Sequence, residues 1–543
     1  MFKSKSLKAV ALSTVMALTI AGCASEPDDG ASDTDADQDT PDTGEADGDT
    51  ELVEGNDLII GTSADIVGMD PHGTNDVPSS NVQTNIFETL LKHDEDMELQ
   101  PGLAVEWEAV EDNIWEFELR EGVTFHDGSE FNAEVVKANI ERILDPDVAS
   151  QRAFLFESVE EVEVVDDYTV RFITEYPFAP LPSHLAHSGG GMISLEAIEA
   201  DYEAMEDGEQ PGHYIGENPI GTGIFEFDSW TTGDEVVLVK NEDYWGDAAK
   251  VDSVTFRVIG EDLTRVGELE TGGAHIIYPV SPSDKARVDG HEAASVYEQE
   301  SLSLAYIGFN MQEEPFDDPK VRQAVSMAIN KDEIIEGVMD GTATPAVGPI
   351  GEQVFGFSDQ VDALPYDPER AQELLAEAGY EDGFSTTIWT NESREREDIA
   401  ELLQAQLAPI GIDVEIEVLE WGTYLDSTAE GEHDMFILGW VTVTGDADYG
   451  MHALFHSDNF GAPGNRTFMD NEELDELLDE ARRESDEDIR ADLYEQAMEI
   501  LVEEAPMLYL YHNTYLVGLR DEVQGFWKHP NGLYQLQDVT IEQ

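Results

Sequence analysis

The chain has 543 residues and sets 120 Asp and Glu against 27 Lys and Arg, a formal net charge of -93. So acidic a surface repels phosphate backbones and excludes nucleic acid as a partner, and a single cysteine excludes any intramolecular disulfide. The length is ample for two or more domains held together by apolar burial.

Lys3, Lys5 and Lys8 precede an apolar run from Ala9 to Ile20, and Ala21-Gly22-Cys23 follows. A basic start, a short greasy stretch and small residues at a cut describe an export signal over residues 1–22. The run is too short for a bilayer, which takes about 20 apolar residues. Cys23 at the cut resembles the bacterial lipobox, in which the thiol is lipidated and becomes the mature N-terminus. The protein is therefore expected at the outer face of the cytoplasmic membrane. From Glu26 to Glu54 there are 13 acidic residues and no basic one. Such a segment cannot bury enough apolar surface to offset its ordering entropy, so residues 23–55 read as a disordered tether extended by self-repulsion. The acidic excess continues along the whole chain and resembles that of proteins from high-salt organisms. There the Debye length falls to about 3 Å at 1 M salt and screens the repulsion.

Asp57–Ser63 reads as a buried strand, followed by a loop through Asp70-Pro71-His72-Gly73-Thr74-Asn75-Asp76. A helix is predicted from Val82 to Leu91, a half-buried strand over Trp115–Leu119, a helix over Asn132–Ile143 and a strand pair over Val162–Ile173 turning at Asp166-Asp167. Glycines cluster at Gly189-Gly190-Gly191 and in Pro219–Gly223. Strands follow at Glu235–Lys240, Ser253–Val258 and Ala305–Asn310. Helices are predicted at Asp318–Asp332, at Asp367–Ala378 with Pro368 in its first turn, and at Glu397–Leu407. The strand Ile412–Val418 follows, then Met435–Leu438, the charged helices Asn471–Ser485 and Glu487–Glu504, and one strand over Leu508–Val517. Strands alternate with helices in both halves, which indicates two α/β lobes.

Several of these stretches resemble one family. Leu119-Arg120-Glu121-Gly122-Val123-Thr124-Phe125-His126-Asp127-Gly128 is similar to the defining segment of the extracellular solute-binding proteins of the dipeptide and oligopeptide class (family 5), which serve ABC importers. Asn218–Gly223 resembles that family's glycine turn, with Ile224 in place of a usual proline. Tyr306–Asn310 with Phe316–Ala324 resembles the opening of its second lobe, and Pro506–Arg520 its return strand. The resemblance covers residues 56–543. It implies a two-lobed periplasmic-binding-protein-like α/β fold of the large peptide-binder class with a two-stranded hinge. Lobe I would hold 56–304 plus 509–543, with an inserted subdomain at about 93–217, and lobe II 305–508. The hinge crossings would fall near Ser303–Phe309 and Leu508–Tyr511. It further implies a monomer that closes over an unaltered solute and docks on permease subunits, with no cofactor and no enzymatic step.

The polar cluster Gly439-Trp440-Val-Thr-Val-Thr-Gly445-Asp446-Ala-Asp448-Tyr449 follows an apolar strand and suits a ligand loop. Asp446 and Asp448 either accept hydrogen bonds from a ligand amine or cap a helix starting near Tyr449. Trp440 and Trp421 offer flat apolar walls. Arg394 and Arg396, rare cations, either reach the ligand or start a solvated helix beside Glu395 and Glu397. His72 and Asn75 sit at a cleft position implied by the family, or in a turn satisfied by its own side chains. Dipeptide binders of this family hold the peptide amine with an aspartate three residues after the loop tryptophan and the carboxylate with an arginine before the Glu397–Leu407 helix. Those positions are Val443 and Thr390 here, so a ligand held as a zwitterionic dipeptide is not expected. Longer peptides, glutathione-like compounds, sugars and nickel chelates stay open as solutes. The pairs His184/His187 and His452/His456 are spaced for a metal, but no carboxylate or cysteine visibly completes a site, and no metal is assigned. A secreted hydrolase finds no Gly-x-Ser-x-Gly elbow, no His-Glu-x-x-His helix and no cysteine nucleophile to support it, and a paired-carboxylate glycosidase stays open by motif alone.

Overall fold

The computed structural model describes residues 56–461 and 464–542. The expected export signal, Cys23 and the acidic tether lie outside these residues. Two large sheets organise the chain. The first has seven strands in the spatial order Ala294–Glu300, Thr514–Arg520, Ile276–Tyr278, Asp57–Thr62, Ser253–Val258, Glu235–Lys240 and Phe225–Thr231. Asp57–Thr62 runs parallel to both of its neighbours. Its core residues Leu58 and Ile60 are fully buried among Val254, Phe256 and Ile276, as expected for a short apolar run inside a parallel sheet.

The second sheet has six strands, in the order Thr344–Pro345, Met507–His512, Ser303–Phe309, Met435–Val441, Phe384–Asn391 and Ile412–Leu419. Its two faces bury separate cores. Ile307, Ile388, Met435 and Ile437 pack under the helices Pro319–Ala328, Pro368–Glu377 and Arg394–Leu407. Leu304, Tyr306, Phe436 and Tyr509 pack toward Glu472–Arg483 and Glu487–Glu504. A third, four-stranded antiparallel sheet (Ala104–Glu111, Ile114–Leu119, Thr169–Thr174, Val159–Asp166) is covered by the helix Ala133–Leu144 and has its own core around Phe117, Phe131 and Phe172. This is the two-lobed α/β fold expected. No helix among the described residues is long and apolar enough to cross a membrane.

The chain passes between the two large sheets at Ser301-Leu302 and again at Asn513. The passages are stitched together. The Ser301 N–H and Oγ donate to the Asn513 carbonyl at 3.0 and 2.7 Å, and the Asn513 N–H donates to Ser303 Oγ at 3.3 Å. This stitch explains one departure from expectation. Leu508–Val517 is not one strand but two, Met507–His512 and Thr514–Arg520, in different sheets. Periodicity cannot register a strand that changes sheets without losing its extended backbone.

Helix ends also moved. The helix predicted at Val82–Leu91 spans Val77–Gln83, because the Asp76 carboxylate accepts the Ser79 N–H at 2.8 Å and Pro78 fits the first turn. The predicted Asp318–Asp332 helix breaks at Ile329-Asn330, where Ile329 is extended and the Asn330 N–H is taken by Gln406 Oε1 at 2.6 Å. The Glu397 helix begins at Arg394, capped by Ser393.

Candidate ligand-binding site

Adjacent cavities run between the lobes. A chamber of about 80 Å³ has Asn75, Ser80, Arg152 and His187 on the side of the first sheet and Val443 and Tyr449 on the side of the second. It shares Ser188, Asn531 and Leu533 with a cavity of about 160 Å³ that reaches Glu88 and Lys92. His93 in turn belongs also to a cavity of about 600 Å³, walled by Trp107 and Trp115 of the four-stranded sheet and by Phe355, Asp446 and Arg490 opposite.

Arg152 is held in the first chamber by its local chain. Ser150 Oγ donates to the His72 carbonyl at 2.7 Å and Gln151 Nε2 to the Gly73 carbonyl at 2.8 Å, lacing this segment to the 70–75 loop. Gly189 makes room for the arginine stem, since a Cβ there would lie 2.7 Å from Arg152 Cγ and Cδ. The guanidinium donates from Nη1 to Asn75 Oδ1 at 2.6 Å and from Nη2 to Ser80 Oγ at 3.3 Å, while Nε is buried without a partner. Burial pulls its pKa down to about 10, opposed by Tyr449 and by the Asp76 carboxylate, so it stays a cation at neutral pH.

The facing wall is aromatic. The Tyr449 ring lies 5.5 Å from Trp440, 6.4 Å from His187 and 6.0 Å from Phe154, so it packs against both lobes. Trp440 Nε1 is buried without a partner. Tyr306, Tyr509 and Trp389 also carry unpartnered buried donors, and all four side chains belong to one apolar cluster. Val443 presents only methyl groups to the chamber. Thr390 is fully buried, and its hydroxyl donates to the Asn391 carbonyl at 3.4 Å. Neither position offers the charge that the family's dipeptide binders use there.

The residues singled out in the sequence separate into distinct places. Asn75 lines the chamber, and Trp440 lies against the Tyr449 ring without reaching the chamber. His72 lies behind it, fully buried, its Nε2–H donating to the Gly191 carbonyl at 3.0 Å and its Nδ1 accepting from Arg142 Nη1 at 2.9 Å. Burial, reinforced by Arg142, takes its pKa to about 3. His72 therefore belongs to a structural network with Asp70, Arg142 and Asp201. Asp446 accepts both Arg490 terminal nitrogens, at 2.6 and 2.7 Å, and borders the 600 Å³ cavity. Asp448 accepts Arg482 Nε and Nη2 at 3.0 and 3.1 Å. Burial alone raises its pKa, but Arg482 and His452 hold the carboxyl well below the usual carboxylate range. Both aspartates are occupied by arginines; Asp446 Oδ1 also accepts the Asp448 N–H at 2.9 Å, at the start of the helical segment Asp448–His452, whereas Asp448 caps nothing with its side chain.

Arg396, Trp421 and Arg394 gather elsewhere, beyond the end of the strand Phe384–Asn391. Arg396 donates to Asn391 Oδ1 at 2.7 Å and lies 5.6 Å from the Trp421 ring, whereas the Arg394 side chain is 95% exposed. None of the three lines the cavities above. His452 and His456 stack at 4.4 Å and share Asp479, a carboxylate the sequence did not reveal. Their Nδ1 atoms accept from Asn459 Nδ2 and the Asp458 N–H, which leaves the protons on the Nε2 atoms facing Asp479. In this tautomer neither Nε2 has a lone pair for a metal. His184 Nδ1 donates to the Leu155 carbonyl, and His187 Nδ1 accepts the Gly189 N–H. Arg152 was missed because nothing local marks it except its charge in an acidic chain.

The family model described as "Bacterial extracellular solute-binding proteins, family 5 Middle" matches residues 98–462. A glutathione-binding protein, GsiB, of Pectobacterium atrosepticum is 33% identical over 498 residues, covering 90% of this chain and 94% of its own. HbpA2 from Haemophilus parasuis superposes with a TM-score of 0.79 at 30% identity, over 90% of this chain and 100% of its own. The ABC transporter-associated binding protein DppA from Helicobacter pylori, solved with the peptide STSA, gives 0.77 at 31% identity over 90% and 98%. With its two sheets, stitched crossings and cavities between the lobes, this chain belongs to the family 5 extracellular solute-binding proteins.

Proposed function

We propose that this protein captures a small peptide or peptide-like solute between its lobes and delivers it, chemically unaltered, to an ABC importer permease. The observation that carries the reading is the chamber walled from both lobes, with Arg152 and Asn75 on one side and Val443 and Tyr449 on the other. Closing the lobes is what completes such a chamber, so ligand selects the closed state. The rotation runs about the crossings at Ser301-Leu302 and Asn513, a few residues from the boundaries that the family resemblance implies. Lobe I then comprises the first sheet with the inserted subdomain, and lobe II the second sheet.

The uncharged Val443 and Thr390 disfavour a dipeptide gripped at both termini. Small peptides with additional carboxylates, of the glutathione kind, fit better. The cavity of about 600 Å³ beyond His93 leaves room for a longer chain. The lipobox-like Cys23 anchors the monomer to the outer face of the membrane, and the acidic segment after it acts as the tether.

Mass spectrometry of ligand carried through purification in high salt, followed by calorimetry with glutathione and with mixed peptides, tests this. One-to-one binding of a peptide recovered intact is expected. Silence toward peptides with a strong signal for a sugar or a metal chelate overturns the solute class, and a chemically altered ligand overturns the binding role.

A further inference from the structure

Among the described residues six arginines are buried: Arg142, Arg152, Arg265, Arg322, Arg466 and Arg490. Four of them meet a carboxylate within 3.0 Å. Arg466 instead donates to the Leu425 carbonyl at 2.5 Å and to Thr428 Oγ at 2.8 Å. Arg152 alone satisfies itself with two neutral side-chain oxygens, leaves Nε unpartnered, and borders a cavity between the lobes. A buried cation without a counter-charge is expensive to keep. In a chain with more than four acids per base, a carboxylate partner was easily supplied, yet Asp76, which lines the same chamber and favours the charge from a distance, is turned to cap Ser79 and forms no ion pair with Arg152.

We propose that Arg152 is the carboxylate anchor of the binding site, acting from lobe I and replacing the arginine that the family's dipeptide binders place at the position of Thr390. The inference rests on the peptide reading above and adds the grip and the preferred charge. A ligand carboxylate entering the chamber takes the part of the guanidinium left free by Asn75 and Ser80, opposite the wall of Val443 and Tyr449. The ligand's anion then supplies the missing counter-charge, which also offsets the repulsion that so acidic a protein exerts on an anionic solute. The site therefore selects free acids over amides.

The test compares tripeptide mixtures with free C-termini against the same mixtures amidated, together with glutathione, by calorimetry on the purified protein at high salt. A charge-assisted hydrogen bond made in a buried site corresponds to about tenfold to a hundredfold in affinity. The wild type should prefer the acids by at least that lower factor. In Arg152→Gln, acid affinity should fall by about tenfold or more while amide affinity moves less than about threefold, and Arg152→Lys should restore part of the preference. Because Arg152 also braces Asn75, the acid-against-amide comparison on the wild type stands even if a variant folds poorly. Wild-type protein that binds acids and amides alike overturns the anchor and leaves peptide binding intact, as does a folded Arg152→Gln that keeps the preference. Wild-type protein that binds none of these compounds overturns the peptide reading and the anchor with it.

Discussion

Removing the Asp446 carboxylate should destabilise the protein without weakening ligand binding in proportion. Asp446 is 3% exposed and Arg490 5%, and the pair is bidentate at 2.6 and 2.7 Å. Arg490 also lies 4.9 Å from the Phe355 ring and donates to the Tyr494 hydroxyl at 3.1 Å, and neither neighbour supplies a charge to replace the lost anion. Asp446→Ala leaves a buried guanidinium uncompensated, which costs about 3–5 kcal/mol. If lobe II, roughly 200 residues, melts as its own unit, its unfolding entropy of about 0.4 kcal/mol/K converts this to a fall of about 7–12 °C. Spread over the whole body the fall is about 3–5 °C. Differential scanning calorimetry of the ligand-free protein at high salt reads either value. The double variant Asp446→Leu with Arg490→Leu should recover much of the loss, because the desolvated charges leave together. A single variant melting within 1–2 °C of the wild type (about 1 kcal/mol) refutes the argument. So does a single variant of normal stability that no longer binds ligand, which would return Asp446 to the role of amine acceptor.

Lys528 is fully buried, with Tyr278, Tyr534 and Tyr515 rings at 4.1, 4.4 and 4.8 Å and no carboxylate partner, and burial lowers its pKa to about 7. Between about pH 7 and 10 the unfolded chain holds this proton and the folded one does not, so stability should rise with pH by up to about 1.4 kcal/mol per unit. Chemical denaturation from pH 7 to 9.5 should show that slope in the wild type and lose it in Lys528→Met; parallel curves would contradict it. Lowering salt from molar to millimolar should reduce the melting temperature, because the excess of acids is no longer screened, and an unchanged temperature would count against the high-salt reading. Cys23→Ser should move the protein from the membrane pellet to the soluble fraction of expressing cells, and equal partition of the two forms would remove the lipid anchor.

The lobes were legible where pattern and local chemistry agree. Glu235–Lys240, Ser253–Val258 and Glu487–Glu504 stand where periodicity predicts them, since each is a single element whose apolar residues face one core. The return strand was misread as one element because the break at Asn513 depends on Ser301, 212 residues away. The binding site was less legible for the same reason. Asp446 and Asp448 were read as amine acceptors or helix caps, and their ion pairs were invisible because the arginines lie 44 and 34 residues further on. Asn75 was visible as a cleft candidate from family position, and Trp440, named for its place after an apolar strand, lies against the Tyr449 ring, whereas Arg152 becomes notable only once its surroundings show that no acid pairs with it.

That contrast bears on how an acidic protein reads its ligand. Screening at high salt reaches surface charges, but a site closed between two lobes excludes the ions that do the screening. Inside the chamber the local pairing of charges decides, and net charge does not. Asp70 and Asp201 face Arg142, Asp446 faces Arg490 and Asp448 faces Arg482. These cations, buried or half-buried, are cancelled by the chain itself and hold the walls in place. Val443, where the family's dipeptide binders place an acid, removes a negative charge from the chamber, and Arg152 keeps a positive one without an ion-pair partner, since the Asp76 carboxylate in the same lining is turned to the Ser79 N–H. Both changes shift the chamber toward accepting an anion. A ligand recognised chiefly by its amine would need the opposite pair of changes, so the sign of the preferred ligand charge follows from the walls before the ligand is known.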